Sequence, residues 1–235
     1  MTQTKKNSNH SELLRNNKNA LFFDFDGVLV DSVEVKTRAF ARLFSQYGPA
    51  VEEKVIDHHR KNGGMTRIEK FRWYYKEFLG KPISQHEMDD LCKKFAQLVI
   101  DEVVVAPEIL GATDFLEKCV PKIPCFLISA TPEEEIHLIV SRRGIHSFFE
   151  EIRGAPTKKS ENLSQLLQKF SLDPDRCIFF GDAETDFLAA QRCHVRFIGV
   201  LPNSEAPLLK VAPGIEWFKN FLEIQHSLSS PIFEG

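Results

Sequence analysis

Long apolar runs are missing from this 235-residue chain. Stretches such as Cys125-Phe126-Leu127-Ile128 fall far short of the ~18 residues that a membrane-spanning helix needs, which excludes a helical membrane span. An excess of one charge is missing too: 30 basic and 33 acidic residues leave a net charge of −3, so no global field draws in nucleic acid or an anionic membrane. Cysteine is sparse. Its five residues, Cys92, Cys119, Cys125, Cys177 and Cys193, are odd in number and form no Cys-x-x-Cys, which argues against a disulfide framework and a zinc site and fits a reducing cytoplasm. The first 19 residues hold no apolar core of ~7 to 15 residues ahead of a small-residue cleavage site. Rich in Asn, Ser and Lys, they read as a flexible N-terminal leader, not a secretory signal. No internal repeat is present, and no low-complexity tract beyond that leader. What remains, 43% hydrophobic and 27% charged, is ordinary for a soluble globular protein of one large domain or two small ones.

From Ala20, Ala-Leu-Phe-Phe runs into Asp24 without periodic polar interruption, as a strand buried on both faces does. Between Asp31 and Tyr47, residues Phe40, Leu43, Phe44 and Tyr47 keep helical spacing until Gly48-Pro49 stops it. Two further stripes follow: Ile68, Phe71, Tyr75, Phe78 and Leu79, ending at Gly80, then Met88, Leu91, Cys92, Phe95 and Val99. Residues 33–105 therefore read as all-helical. A crossover between strands needs only ~12 residues, so this segment is an inserted helical domain, and residues 20–32 and 106–235 form the other domain. There the pattern alternates. Cys125 to Ser129 reads as a strand, and Thr131-Pro132-Glu133-Glu134-Glu135 supplies an N-cap, a proline at the first helical position and acids in the first turn. Ile136, Ile139 and Val140 continue that helix to Gly144. Phe148 to Ile152 reads as a short third strand, Leu163, Leu166, Leu167 and Phe170 as a helix, and Cys177 to Phe180 as a buried strand. Asp186 to Arg192 is a helix and Val195 to Val200 a final strand. Such alternation gives an α/β fold, a parallel sheet covered by helices.

Ligands of an open parallel sheet gather beyond the carboxyl ends of its strands. The segments there are Asp24-Phe25-Asp26-Gly27-Val28-Leu29-Val30-Asp31-Ser32, Ser129-Ala130-Thr131, Gly154-Ala155-Pro156-Thr157-Lys158-Lys159 and Gly181-Asp182-Ala183-Glu184-Thr185-Asp186. Carboxylates converging on one rim disfavour one another's ionised forms and call for a metal or a lysine. Oxygen ligands without histidine or cysteine point to a hard ion, and Mg²⁺ is the common partner of phosphate chemistry.

In order and spacing, these four segments resemble the haloacid dehalogenase-like hydrolase superfamily, in the branch with a helical cap inserted after the first strand, as in phosphoglycolate phosphatases and β-phosphoglucomutases. The resemblance spans roughly residues 20–200. It implies a Rossmann-like core and a Mg²⁺-dependent phosphatase acting on a small phosphorylated metabolite. It also implies roles: Asp24 as nucleophile, forming an aspartyl-phosphate; Asp26 as general acid and base, its backbone carbonyl facing the metal; and Asp24 and Asp182 as metal ligands. Ser129 and the Ala130 backbone N–H would bind phosphate oxygens, Lys159 would supply positive charge to the transferring group, and Asp186 would orient the metal's waters or the lysine. Glu184 is a competing acid. A phosphomutase would use the same residues, and a catalytically silent binding module is the reading from another class. Asp26 argues against a dehalogenase, since halide departure needs no general acid.

Other residues have plainer readings. Thr131 reads as a helix cap and Lys158 as solvated. His58 and His59 point about 100° apart on a helix, so they read as surface residues, not a shared site. Trp73 and Tyr74 lie off the apolar stripe and suit a second packing surface or the active cleft. Arg142-Arg143 suits its own helix's C-terminal dipole. Arg67, behind Asn62-Gly63-Gly64-Met65-Thr66, is the candidate substrate contact from the cap, because the glycines let the chain turn the guanidinium toward the core.

Overall fold

The structure, a computed structural model, describes residues 19–227; the expected leader, apart from Asn19, lies outside them. β1 (Ala20–Phe23) and β4 (Cys177–Gly181) are buried at every residue, which only central strands of a doubly covered sheet can be. With β2 (Cys125–Pro132), β3 (Glu151–Ala155), β5 (Arg196–Val200) and β6 (Trp217–Phe218) they form a six-stranded parallel sheet of order β3-β2-β1-β4-β5-β6. In-register phenylalanines stack across the strands on both faces. Phe22 lies between Phe126 and Phe179, with ring centroids 5.1 and 6.4 Å away, and Phe23 stacks on Phe180 at 5.0 Å. Each such pair contributes ~0.5–1.5 kcal/mol beyond its burial.

On the Phe22 side the sheet is covered by α7 (Lys159–Lys169), through Leu163 and Leu166, and by α8 (Glu184–Arg192), through Ala189 and Ala190. On the other side lie α5 (Ala112–Cys119), α6 (Glu133–Arg142) and α10 (Phe221–Ser227). A short α9 (Pro207–Val211) leads to β6.

Several boundaries differ from the sequence expectation: β2 runs past Ser129 to Pro132, the helix expected from Asp186 starts at Glu184, the strand expected from Val195 starts at Arg196, and two further shifts change what a residue does. The third strand is Glu151–Ala155, not Phe148–Ile152; His146–Phe148 is a 3-10 turn, and Phe149 packs edge-on against Phe23 at 6.4 Å. An edge strand alternates, and Glu151 and Arg153 broke the apolar run on which the expectation relied. The helix after the second strand starts at Glu133, with Pro132 as its N-cap. Thr131 is no cap, because its hydroxyl bonds Asp26 and Lys36 instead.

Between β1 and α5 the chain is helical: α1 (Val33–Phe44), a 3-10 turn (Ser45–Tyr47), α2 (Pro49–Lys61), α3 (Arg67–Glu77) and α4 (Gln85–Val105). Capping boxes, Thr66 with Glu69 and Ser84 with Glu87, start α3 and α4, satisfying donors that a helix start leaves open. Phe40, Phe44, Phe71, Tyr74 and Phe95 fill the interior among these helices, which is continuous with the sheet's core through Val103, Ile136 and Val140. Tyr74 is fully buried and Trp73 stacks on His58 at 4.0 Å, so these aromatics form the second packing surface. Neither histidine is a simple surface residue: His58 is half-buried and His59 is buried beside Val55. Arg143 also differs from expectation. Its Nη1 donates to the carbonyls of Val103, Val104 and Ala106 at 2.8–2.9 Å, so it closes the C-terminus of α4, not that of its own helix. Arg142 pairs with Asp101 at 2.7 Å.

Candidate active site

The strand order reverses between β1 and β4, since the chain leaves β1 for β2 on one side and later returns to place β4 on the other. A crevice opens at such a switch point, and Asp24 and Asp182 follow directly from the two strands that flank it. Gly27, with φ +78, brings the loop so close to Asp182 that a Cβ there would lie 2.4 Å from Asp182 Oδ2.

Asp24 is 4% exposed. Its Oδ1 accepts from the Phe25 N–H at 2.7 Å and its Oδ2 from Lys159 Nζ at 2.7 Å. Lys159, the first residue of α7, also reaches Asp186 Oδ1 at 2.6 Å, and Asp186 Oδ2 accepts from the Ala183 N–H at 3.1 Å. Asp186 therefore braces the lysine and its own helix start together. Burial, with the Asp186 and Asp26 carboxylates, pushes Asp24 up to about 7 against the pull of Lys159. Burial and Asp24 push Asp182 well above the carboxylate range. Burial alone would lower Lys159, but Asp186 and Asp24 outweigh it and hold the ammonium above its usual range.

These groups fit a hard divalent cation. Oxygens of Asp24, Asp182 and Asp186 lie within 4.8 Å of one another, and the Asp182 carboxylate makes no hydrogen bond among the described residues. One lysine cannot neutralise three carboxylates so close together, and an oxygen-only donor set suits Mg²⁺-like ions. Glu184 is exposed and outside this group.

Asp26 belongs to a second cluster. Burial would raise it, but Lys36 and Ser32 outweigh that and hold its carboxyl below the usual range. Ser32 Oγ donates to Asp26 Oδ1 at 2.5 Å, while Oδ2 accepts from Lys36 Nζ and from Thr131 Oγ1, the latter at 3.2 Å. Lys36 also donates to Thr131 Oγ1 at 2.8 Å. The side chain of Asp26 thus stands apart from the three-carboxylate group. At the end of β2 the register with β3 shifts between Ile128 and Pro132, so the peptides of Ser129, Ala130 and Thr131 leave the ladder. Ser129 Oγ accepts from the Thr131 N–H at 3.1 Å, which keeps its own proton available to donate. Gly154 makes room for this bulge, since a Cβ there would lie 2.5 Å from the Glu133 backbone.

Arg67 faces the sheet's rim as expected, yet its fork is taken: Nη1 and Nη2 bond the two oxygens of Glu135 at 2.9 and 2.6 Å. It joins α3 to α6. Gly64 packs against the α8 start so closely that a Cβ would overlap Thr185 Oγ1. Sequence reasoning missed Lys36, Glu135, Lys70 and His59, all near the site. Lys36 had a signal, standing four residues before Phe40 on a stripe that buries itself.

The sequence pattern of the haloacid dehalogenase-like hydrolase family matches residues 21–200. The chain is 24% identical over 199 residues to validoxylamine A 7'-phosphate phosphatase of Streptomyces hygroscopicus subsp. limoneus, covering 81% of this chain and 89% of that protein. It is 26% identical over 194 residues to phosphoglycolate phosphatase of Pseudomonas putida, covering 77% and 68%. A solved haloacid dehalogenase hydrolase from Entamoeba histolytica superposes with a TM-score of 0.74 over 92% of this chain and 100% of that one, at 16% identity. Among the described residues no helix is long and apolar enough to cross a membrane. With the motifs of residues 21–200 assembled at one switch point, the chain belongs to the haloacid dehalogenase-like hydrolase family.

Proposed function

We propose that the protein is a Mg²⁺-dependent phosphatase of small phosphorylated metabolites, working through an aspartyl-phosphate on Asp24. The observation that carries this reading is the separation of two acids: Asp24 lies among Lys159, Asp182 and Asp186, while Asp26 lies in its own cluster with Lys36, Ser32 and Thr131. That separation supports a division of labour in which one carboxylate attacks phosphorus and the other moves a proton.

Asp24, Asp182 and Asp186 would hold the ion, with the Asp26 carbonyl. A bound divalent cation lowers the repulsion between an anionic nucleophile and a phosphate ester. Asp24 attacks phosphorus as the bond to the ester oxygen breaks; Asp26, which accepts a hydrogen bond from the Lys36 ammonium, relays a proton from it to the leaving oxygen and later returns one from the water that cleaves the acyl phosphate. Ser129 and the Ala130 N–H bind non-bridging oxygens, and Lys159, held by Asp186, offsets their charge. The helices of residues 33–105 act as a cap, with Arg67–Glu135 as a contact that closes it over the crevice. Names of relatives support the reaction class.

Phosphate release from 2-phosphoglycolate with Mg²⁺ tests the reading. Asp24→Asn should abolish it and a chelator should suppress it. Activity that persists in Asp24→Asn overturns the nucleophile, and isomerisation of a sugar phosphate without phosphate release overturns hydrolysis in favour of a mutase.

A further inference from the structure

The C-terminus of α6 is left without the cations that its own sequence supplies, because Arg142 turns to Asp101 and Arg143 to the carbonyls at the end of α4. A helix C-terminus carries a partial negative charge and favours a cation close by. What the chain brings there instead is a pair of histidines. α6 ends in a reversal in which Gly144, at φ +74, donates its N–H to the Ser141 carbonyl at 3.0 Å, and Ile145 donates to the Val140 carbonyl at 3.2 Å. This left-handed cap folds the chain back over the last turns of the helix. The 3-10 turn His146–Phe148 that follows is held by its own bond, from the Phe148 N–H to the Ile145 carbonyl at 3.2 Å. His146 thereby lies beside His137 of α6, with ring centroids 5.8 Å apart and ring planes inclined by 40°.

Ring packing does not account for this pair, since aromatic rings settle in offset-stacked or edge-on arrangements and an inclination of 40° is neither. Hydrogen bonding does not account for it either: among the described residues neither imidazole makes a hydrogen bond or an ion pair. His146 is exposed and His137 half-buried, so solvent reaches both. Two imidazoles that share one ion through metal–nitrogen bonds of ~2.0–2.1 Å have their ring centroids about 5–6 Å apart, which is the spacing found. One ring stands on a helix and the other on a capped turn, so little chain remains to be ordered when an ion binds. Glu134, three residues before His137 and so on the same face of α6, is exposed and makes no hydrogen bond among the described residues.

We infer that His137 and His146 form a second metal site, for a divalent transition ion that favours imidazole, such as Ni²⁺, Cu²⁺ or Zn²⁺, with water or Glu134 in the remaining positions. Mg²⁺ does not compete for it, because that ion takes oxygen ligands. The site shares no residue with the carboxylate group of Asp24, Asp182 and Asp186, and it does not depend on the phosphatase reading. α6 starts at the rim where those carboxylates gather and runs away from it, so the histidines lie toward the opposite rim. A bound ion supplies the positive charge that the end of α6 lacks and clamps the turn before β3 to the helix. That same helix holds Arg67 through Glu135.

Calorimetric titration of Ni²⁺ into the full chain tests the site, with Mg²⁺ in large excess to keep the carboxylate group out of the titration. The wild type should bind one equivalent. His137→Ala and His146→Ala should each weaken that binding by at least about tenfold, the smallest loss expected when a ligand is removed, while His86→Ala, which removes an exposed histidine of α4, should leave it unchanged. Thermal melts give a second readout. Ni²⁺ at ~100 times its Kd should raise the wild-type Tm by ~5–10 °C, and the rise in either site variant should be at most about half of that. The wild-type titration needs no variant to fold. No binding by the wild type overturns the site. So does a loss confined to one of the two site variants, which would mean that the rings do not share an ion, or an equal loss in His86→Ala.

Discussion

Replacing Lys70 by methionine turns a buried ammonium into an apolar chain of similar length, and the structure fixes how stability should respond to pH. Lys70 sits at about 7 in the folded protein against an ordinary 10.5, chiefly from burial. Below pH 7 the amine is protonated folded and unfolded alike, so folding carries the full cost of burying the charge. Between pH 7 and 10.5 the unfolded chain keeps a proton that the folded one sheds more and more completely as pH rises past 7; the unfolded state binds more protons, and stability climbs with pH. At ~1.36 kcal/mol per pH unit the whole window amounts to at most about 5 kcal/mol. A domain of this size moves ~2–4 °C in Tm per kcal/mol. Lys70→Met should therefore raise Tm by on the order of 10 °C at pH 6, and the gain should shrink steadily toward pH 10. His59 stays neutral throughout, and Lys36, Asp26, Asp182 and Glu69 are the charges that act on Lys70. Calorimetric melts of both proteins at pH 6, 8 and 9.5 measure the difference. A loss of Tm at pH 6, or the same gain at pH 6 and 9.5, refutes the buried-charge argument.

Other perturbations follow from contacts already described. Arg67→Ala and Glu135→Gln should each cost ~1.5–3 kcal/mol in urea unfolding, and the double variant should cost less than the two combined, because the pair links α3 to α6. Independent losses would show that the two forks do not cooperate. Gly64→Ala should raise KM, since its Cβ overlaps Thr185 Oγ1, and adding Thr185→Ala should recover much of the loss; no recovery would place the defect elsewhere. Phe22→Ala removes the ring stacked between Phe126 and Phe179 and should destabilise the fold by ~3–5 kcal/mol, read from denaturant midpoints, with little effect on the KM of what remains folded.

The legible part of the sequence was the part governed by short range. Asp24 and Asp182 follow, and Ser129 closes, apolar runs that mark central strands, so their common rim could be read from the alternation of elements. Lys159 opens a helix after a strand and was found by its spacing from Gly154, even though that strand's own boundary was misplaced. Positions set by packing at a distance were not legible. Thr131 has the composition of a helix cap, and only the approach of Asp26 and Lys36 from other elements draws its hydroxyl away. Lys70 and Arg67 share one face of α3 with Tyr74, all buried, yet basic residues three apart on a helix ordinarily read as a solvated face. Glu135 reads as a first-turn acid until Arg67 arrives from α3. Arg143 serves a helix some forty residues earlier in the chain.

The central claim is that Asp24 carries the phosphoryl group, and acid-quenched turnover followed by mass spectrometry of the peptide containing Asp24 tests it most directly. With 2-phosphoglycolate and Mg²⁺, the peptide should gain the mass of one phosphoryl group on Asp24 within the first turnover and lose it as inorganic phosphate appears. Steady release of phosphate with no modified Asp24, or with the group on another residue, would contradict the account.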